Sequence, residues 1–181
     1  NALEEVRDPG PGFYSLIFLV QKKSGSWRPV TDLSSLNKFL DIPRFRMETT
    51  RTVYESLKLN HWCTSIDLKD AYLHIPVHPH HRKFLRIGYR GKVFQFKVLP
   101  FGQATAPYIF TRIVKAVAAA VHTQNLEFHS YLDDWLNQTP SYQSAVHETS
   151  LLLALTKDLG WVPNWEKSEL QPSQEFTFIG M

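Results

Sequence analysis

The feature that most constrains this chain is a pair of adjacent carboxylates, Asp133 and Asp134, inside the apolar run FHSYLDDWLNQ at 128–138. The flanks are aromatic and aliphatic residues that favour a half-buried strand. Two like charges side by side gain nothing inside such a run, because burial and mutual repulsion both oppose ionisation. A β-hairpin reconciles the two demands. Its arms carry the apolar residues, and Asp133-Asp134 forms the apex in contact with water.

A second segment repeats the theme. In HWCTSIDLKDAY, Trp62, Thr64, Ile66 and Leu68 alternate with Cys63, Ser65 and Asp67. Side chains of a strand point to opposite faces in turn, so Asp67 points away from the apolar side of its strand. Residues 84–100 form another hairpin with Arg90-Gly91 at the turn. Residues 13–33 form two strands around KKSGS, which puts Lys22, Lys23 and Arg28 near the tip and arms of that hairpin.

Three helices are expected. One is short, within 47–60, with Thr49 or Thr50 as N-cap. The second spans 105–125, where Ile109, Phe110, Ile113, Val114, Val117 and Val121 recur at helical spacing. The third runs from a Ser141 N-cap to Gly160 just past its end. The closing SQEFTFIGM reads as one more strand. The fold class is therefore α+β, an antiparallel sheet with helices on one face. The opposite, open face carries Asp67 and the Asp133-Asp134 turn.

Charge is uneven. Residues 1–92 hold 15 Lys and Arg against 9 Asp and Glu, whereas 93–181 hold 5 against 8. A basic half suits phosphate or nucleic acid, and an acidic half suits cation ligands. No apolar run approaches the ~18 residues of a membrane span, so no membrane partner is expected. With Cys63 as the one cysteine, no internal disulfide forms. A reducing, intracellular setting, cytoplasmic or nuclear, is the expectation.

If the strand bearing Asp67 lies beside the hairpin, three carboxylates gather in one place. Divalent cations relieve such crowding. Mg²⁺ prefers oxygen ligands and commonly sits on one or two carboxylates plus substrate phosphates.

The ordered set of motifs resembles the fingers and palm of a reverse transcriptase over nearly the whole chain. SIDLKDAY resembles the first palm motif and LPFGQATAPYIF the second. YLDD resembles the tyrosine–X–Asp–Asp box, and LGWVPNWEKSEL the fourth motif, with Lys167 at its lysine. FTFIGM resembles the start of the primer grip. KKSGSWRPVTDLSSLNKFL resembles the fingers segment that grips the triphosphate. YLDDWL and NWEKSELQPSQ are most like tyrosine-recombinase (DIRS-like) retrotransposons, with Ty3/gypsy-like elements next.

The resemblance implies a right-hand palm plus a β-rich fingers subdomain. Residues 1–60 would be mainly fingers. Residues 61–181 would be mainly palm, with a fingers segment at about 74–100 inserted. It implies RNA-directed DNA polymerase activity with two Mg²⁺ ions, for which Mn²⁺ can substitute. The partners would be dNTPs and a primer paired to an RNA or DNA template. Asp67, Asp133 and Asp134 would be the catalytic metal ligands, Asp134 in a supporting role. Lys22 or Lys23 and Arg28 would hold the β- and γ-phosphates. Tyr72 would be the aromatic gate against a ribose 2′-hydroxyl, Phe101 would line the nucleotide pocket, and Lys167 would neutralise or protonate the pyrophosphate.

Three positions depart from patterns within the family: Ser34, where many relatives carry Arg or Lys, Phe101, where retroviral enzymes have Gln and the Ty3-like branch Phe, and Gln103, where Leu is common. In HIPVHPHHRKF, the histidines match no known zinc spacing and read as a loop facing solvent or nucleic acid. Other readings are an RNA-templated RNA polymerase and an inactive nucleic-acid-binding remnant. Leu132 before the Asp pair and Tyr72 as a gate argue against the first, and the three intact aspartates against the second. The thumb and RNase H domain would follow in a longer polyprotein. Alone, this piece would extend primers poorly or not at all.

Overall fold

A computed structural model describes residues 1–21, 25, 27–122, 126 and 128–179. Lys22 and Lys23 fall outside the described residues. The chain forms two compact units, Asn1–Pro43 with Tyr72–Ile109, and Arg44–Ala71 with Phe110–Met181.

The first unit is built on five strands: β1 (Leu3–Val6), β2 (Tyr14–Gln21), β3 (Trp27–Asp32), β5 (Arg86–Tyr89) and β6 (Lys92–Phe96). They lie side by side in the order β1-β6-β5-β2-β3. Only β2 and β5 pair in parallel. The β5–β6 turn is Arg90-Gly91, with φ of 49° and 74°. Two successive positive φ angles define the turn whose twist matches a hairpin. Gly12 has no room for a side chain, since a Cβ there would sit 2.6 Å from the Lys83 carbonyl and 2.7 Å from Arg86 Nη1. The buried Arg86 in turn donates from Nη1 to the Gly10 carbonyl at 2.6 Å. Leu33, Leu85 and Leu36 of the short helix α1 (Ser34–Asn37) form this unit's core.

The second unit holds four antiparallel strands: β4 (Trp62–Asp67), β7 (Phe128–Tyr131), β8 (Asp134–Thr139) and β9 (Glu169–Ser173). Their order is β7-β8-β4-β9. Helix α2 (Thr50–Ser56) starts at Thr49, whose hydroxyl and that of Thr52 accept from each other's backbone N–H in a reciprocal capping box. Helix α3 spans Ala106–His122, and α4 spans Tyr142–Asp158 with the Ser141 hydroxyl accepting from the Ser144 N–H. Gly160, at φ 73°, ends α4 as expected.

Alternation decides what each face of this sheet does. Pairing places Trp62, Thr64 and Ile66 opposite Thr139, Asn137 and Trp135. That face meets α4, where the Thr64 and Thr149 hydroxyls are 2.6 Å apart. Trp135, 1% exposed, lies 5.5 Å from the Trp161 ring, which is 5.8 Å from Phe110 of α3. The other face carries Cys63, Ser65 and Asp67 opposite Gln138, Leu136 and Asp134.

That second face is not open along its length. Val53 of α2 and Phe178 close over Cys63 and Leu136. Among the described residues the expected terminal strand does not form: residues 176–178 are irregular, and β9 takes the edge of β4. Phe176 and Phe178 of the tail serve burial rather than pairing, packed against the cluster of Val53, Cys63 and Leu136. Burial also pushes the Cys63 thiol up to about 11, so it stays protonated near neutral pH.

Candidate active site

The carboxylate hairpin differs from its expected form by one residue. Tyr131 pairs with Asp134, so the two-residue loop is Leu132-Asp133 and Asp134 opens β8. The reason lies in Trp135. Its ring belongs on the helix-covered face, and a one-residue slip would turn it to the other. With Trp135 buried, Asp134 must point to the opposite side, directly across from Asp67. Leu132 adopts φ 54°. A bulky residue at positive φ is strained by about 1–2 kcal/mol, and the surrounding contacts have to hold it.

Those contacts begin at β4. The Leu68 N–H donates to the Asp133 carbonyl at 2.8 Å, which ties the loop to the strand carrying Asp67. The backbone of Asp67 is fixed on both sides by the turn at 164–168. Its N–H donates to Ser168 Oγ at 3.0 Å, and its carbonyl accepts from the Asn164 N–H at 2.7 Å. The Ser168 hydroxyl donates onward to the Asn164 carbonyl at 2.8 Å. Ser168 and Asn164 escape a sequence reading, for nothing local marks a serine 101 positions away as the partner of Asp67.

The same turn delivers Lys167, whose Nζ lies 3.6 Å from Asp67 Oδ2. The lysine side chain is 69% exposed and that of Asp67 12%. An exposed cation at this distance offsets only part of the crowding. Burial, then the charges of Asp133 and Asp67, pushes the Asp134 carboxyl up to about 6, while Lys167 pulls the other way. Burial chiefly, with Asp67 adding, also raises Asp133. Protonation is one way to relieve three gathered carboxylates, and a cation is the other.

Other expected site residues lie in the first unit. Tyr72 sits in a 3₁₀ turn at Ala71–His74, its ring 5.1 Å from that of Phe101 at an interplanar angle of 55°. Asn37 braces the loop bearing Phe101. Its Nδ2 donates to the Gly102 carbonyl at 2.9 Å, and its Oδ1 accepts from the Ala104 N–H at 2.9 Å. Arg28 is exposed on β3, opposite Val20. Ser34 is engaged by Asp32 through both its hydroxyl and its N–H, and these bonds hold the Asp32 carboxyl below its usual range. The rings of His80 and His81 lie 5.0 and 5.7 Å from that of His78.

Among the described residues, no three His, Cys, Asp or Glu side chains converge as a ready-made metal cage. Asp67, Asp133 and Asp134 instead form an open, oxygen-only set. That suits a hard divalent ion completed by substrate phosphates better than an all-protein site.

A family model described as reverse transcriptase (RNA-dependent DNA polymerase) matches residues 20–181. The Gag-Pro-Pol polyprotein of squirrel monkey retrovirus is 31% identical over 173 residues, covering 91% of this chain and 9% of the relative. Protein P of duck hepatitis B virus is 25% identical over 171 residues, covering 91% of this chain and 20% of the relative. A foamy viral protease–reverse transcriptase solved with double-stranded DNA superposes with a TM-score of 0.86 at 20% identity, over 99% of this chain and 30% of that one. Another, solved with an RNA/DNA hybrid, gives 0.82 at 19% identity, over 99% and 23%. The chain thus spans less than a third of each of these relatives.

Proposed function

The chain belongs to the reverse transcriptase family, and on that premise we propose that it is the fingers-and-palm part of an RNA-directed DNA polymerase. The reaction joins a dNTP to a primer 3′-hydroxyl on an RNA or DNA template. The observation that carries this reading is the cross-strand pairing of Asp67 with Asp134, beside Asp133 in the loop. The unit holding Asp133 and the four-stranded sheet is assigned as palm, and the five-stranded unit as fingers.

Asp67, Asp133 and Asp134 would hold two Mg²⁺ ions, or Mn²⁺ in their place. Such ions supply a more acidic 3′-hydroxyl and a clamp on the phosphate oxygens during in-line displacement. The chain's own residues orient and balance charge. Asp133 is fixed through its carbonyl, which leaves the carboxylate to be aimed by the strained loop. Lys167, resting against Asp67, is suited to neutralise or protonate the departing pyrophosphate.

The nucleotide roles of Arg28, Tyr72 and Phe101 rest on their match to the family motifs. Arg28 suits phosphate because its planar fork binds oxygens in pairs. The packing of Tyr72 against Phe101 supports a stiff aromatic wall against a 2′-hydroxyl. The finer affinity to tyrosine-recombinase elements rests on YLDDWL and NWEKSELQPSQ. The family match implies a polyprotein with a thumb and RNase H, and the single cysteine, Cys63, suits work inside the cell.

Asp133→Asn is nearly isosteric and removes one charge. Mg²⁺-dependent primer extension by the parent polymerase is expected to disappear in this variant, and unchanged extension would refute the metal assignment. Comparing dNTP with NTP incorporation tests the sugar gate, since equal use of both would refute that role for Tyr72.

A further inference from the structure

The loop bearing Asp133 is tied to β4 through the Leu68 N–H, and its β7 arm is an edge strand of the sheet. Ser130 faces Trp135 one step from the Tyr131–Asp134 pair that closes the loop. In an antiparallel ladder such steps alternate, so the Ser130 N–H points outward, away from β8. It is nonetheless satisfied. Glu48 Oε2, from the segment before α2, accepts it at 2.9 Å.

The other oxygen of Glu48 faces a second group. Glu48 Oε1 lies 3.7 Å from His129 Nδ1, and His129 Nε2 lies 3.0 Å from Ser56 Oγ. The Ser56 hydroxyl donates to the Val53 carbonyl at 2.6 Å, so its oxygen is left to accept from His129 Nε2–H. The imidazole thus donates to Ser56 through Nε2 and turns Nδ1 toward the Glu48 carboxylate. Gln138 of β8 completes the stitching. Its Nε2 donates to the Ser56 carbonyl at 3.1 Å, and its Oε1 accepts from the Lys58 N–H at 2.7 Å. Across β8, His129 is opposite Leu136, and Glu48 is the charged side chain set against it from the preceding segment.

We infer that Glu48, seated between the Ser130 amide and the His129–Ser56 pair, is a positioning residue that fixes the carboxylate loop from the β7 edge of the sheet. Glu48 then holds the β7 arm, and the Leu68 N–H the loop, of one strained hairpin. Both are needed because the strain at Leu132 favours relaxation, and a 1 Å error at reacting groups costs on the order of a hundredfold in rate. The position of Asp133 and Asp134 for metal binding rests on the proposed function; the grip itself does not.

Two readouts separate these. Hydrogen exchange of the Ser130–Asp134 amides tests the grip without any metal or substrate. Glu48→Ala should speed it by roughly tenfold, in line with a lost hydrogen bond to a charged acceptor. Glu48→Gln, which keeps an oxygen for the Ser130 N–H, should recover most of the protection. Unchanged exchange in Glu48→Ala would overturn the inference. Mn²⁺ titration followed by electron paramagnetic resonance tests the link to the site. Wild type should bind Mn²⁺, Asp133→Asn should not, and Glu48→Ala should bind several-fold more weakly, with Glu48→Gln near wild type. Equal binding by Glu48→Ala and wild type would overturn the positioning role. A wild type that binds no Mn²⁺ would instead overturn the metal reading, and with it that role, leaving the exchange result to decide the grip.

Discussion

Each residue of the site is tuned by what surrounds it. Asp134 shows this most clearly, because its carboxyl is raised to about 6 by burial and by its two acidic neighbours. An unfolded Asp titrates near 3.9. Between those values the folded chain holds a proton that the unfolded chain has lost, so stability falls as pH rises through the window from about 4 to about 6. In metal-free buffer the melting temperature is expected to drop across this interval. Asp134→Asn should flatten the dependence and raise the melting temperature at pH 7, while weakening divalent-ion binding. A profile that is equally steep in the variant would show that Asp134 is not its source. The gain in stability on neutralising a functional charge is the usual sign of a site held together against its own repulsion.

At the scale of elements, the hairpin and helix ends follow local chemistry. Ser141 accepts from the Ser144 N–H at 3.1 Å and closes the start of α4, the helix under the carboxylate-bearing sheet. Ser141→Ala should lower unfolding free energy by about 1 kcal/mol, measured by urea titration. This cap is legible in SYQS because capping depends on three or four neighbouring residues. The β7–β8 loop was legible as a hairpin but not in its register. Two adjacent aspartates suit a turn equally well at either of two offsets, and only the burial of Trp135 against Phe128 and Trp161 selects one.

At the scale of the molecule, the carboxylate-bearing face is built from segments far apart in sequence. Val53, Cys63, Leu136 and Phe178 form its apolar floor. Phe178 is 3% exposed although it belongs to no strand or helix. Phe178→Ala should cost about 3 kcal/mol through lost burial and the cavity left behind, read as a shift of the urea midpoint with unchanged slope. A near-zero shift would mean that the tail does not cover this face in solution. No helix among the described residues is long and apolar enough to cross a membrane.

Sequence by itself determined which side chains share a face within each strand. Strand alternation sends Asp67 away from its apolar neighbours, and the turn chemistry around Asp133 and Asp134 makes a hairpin. Both are set by bonds and torsions within a few residues. Tertiary structure alone decided how that hairpin is held. Ser168 meets Asp67 across 101 positions, and Glu48 meets Ser130 across 82. Neither partner carries a local mark, because a backbone N–H donates to whatever acceptor packing brings within reach. The fold supplied that group, and with it the geometry of the carboxylates.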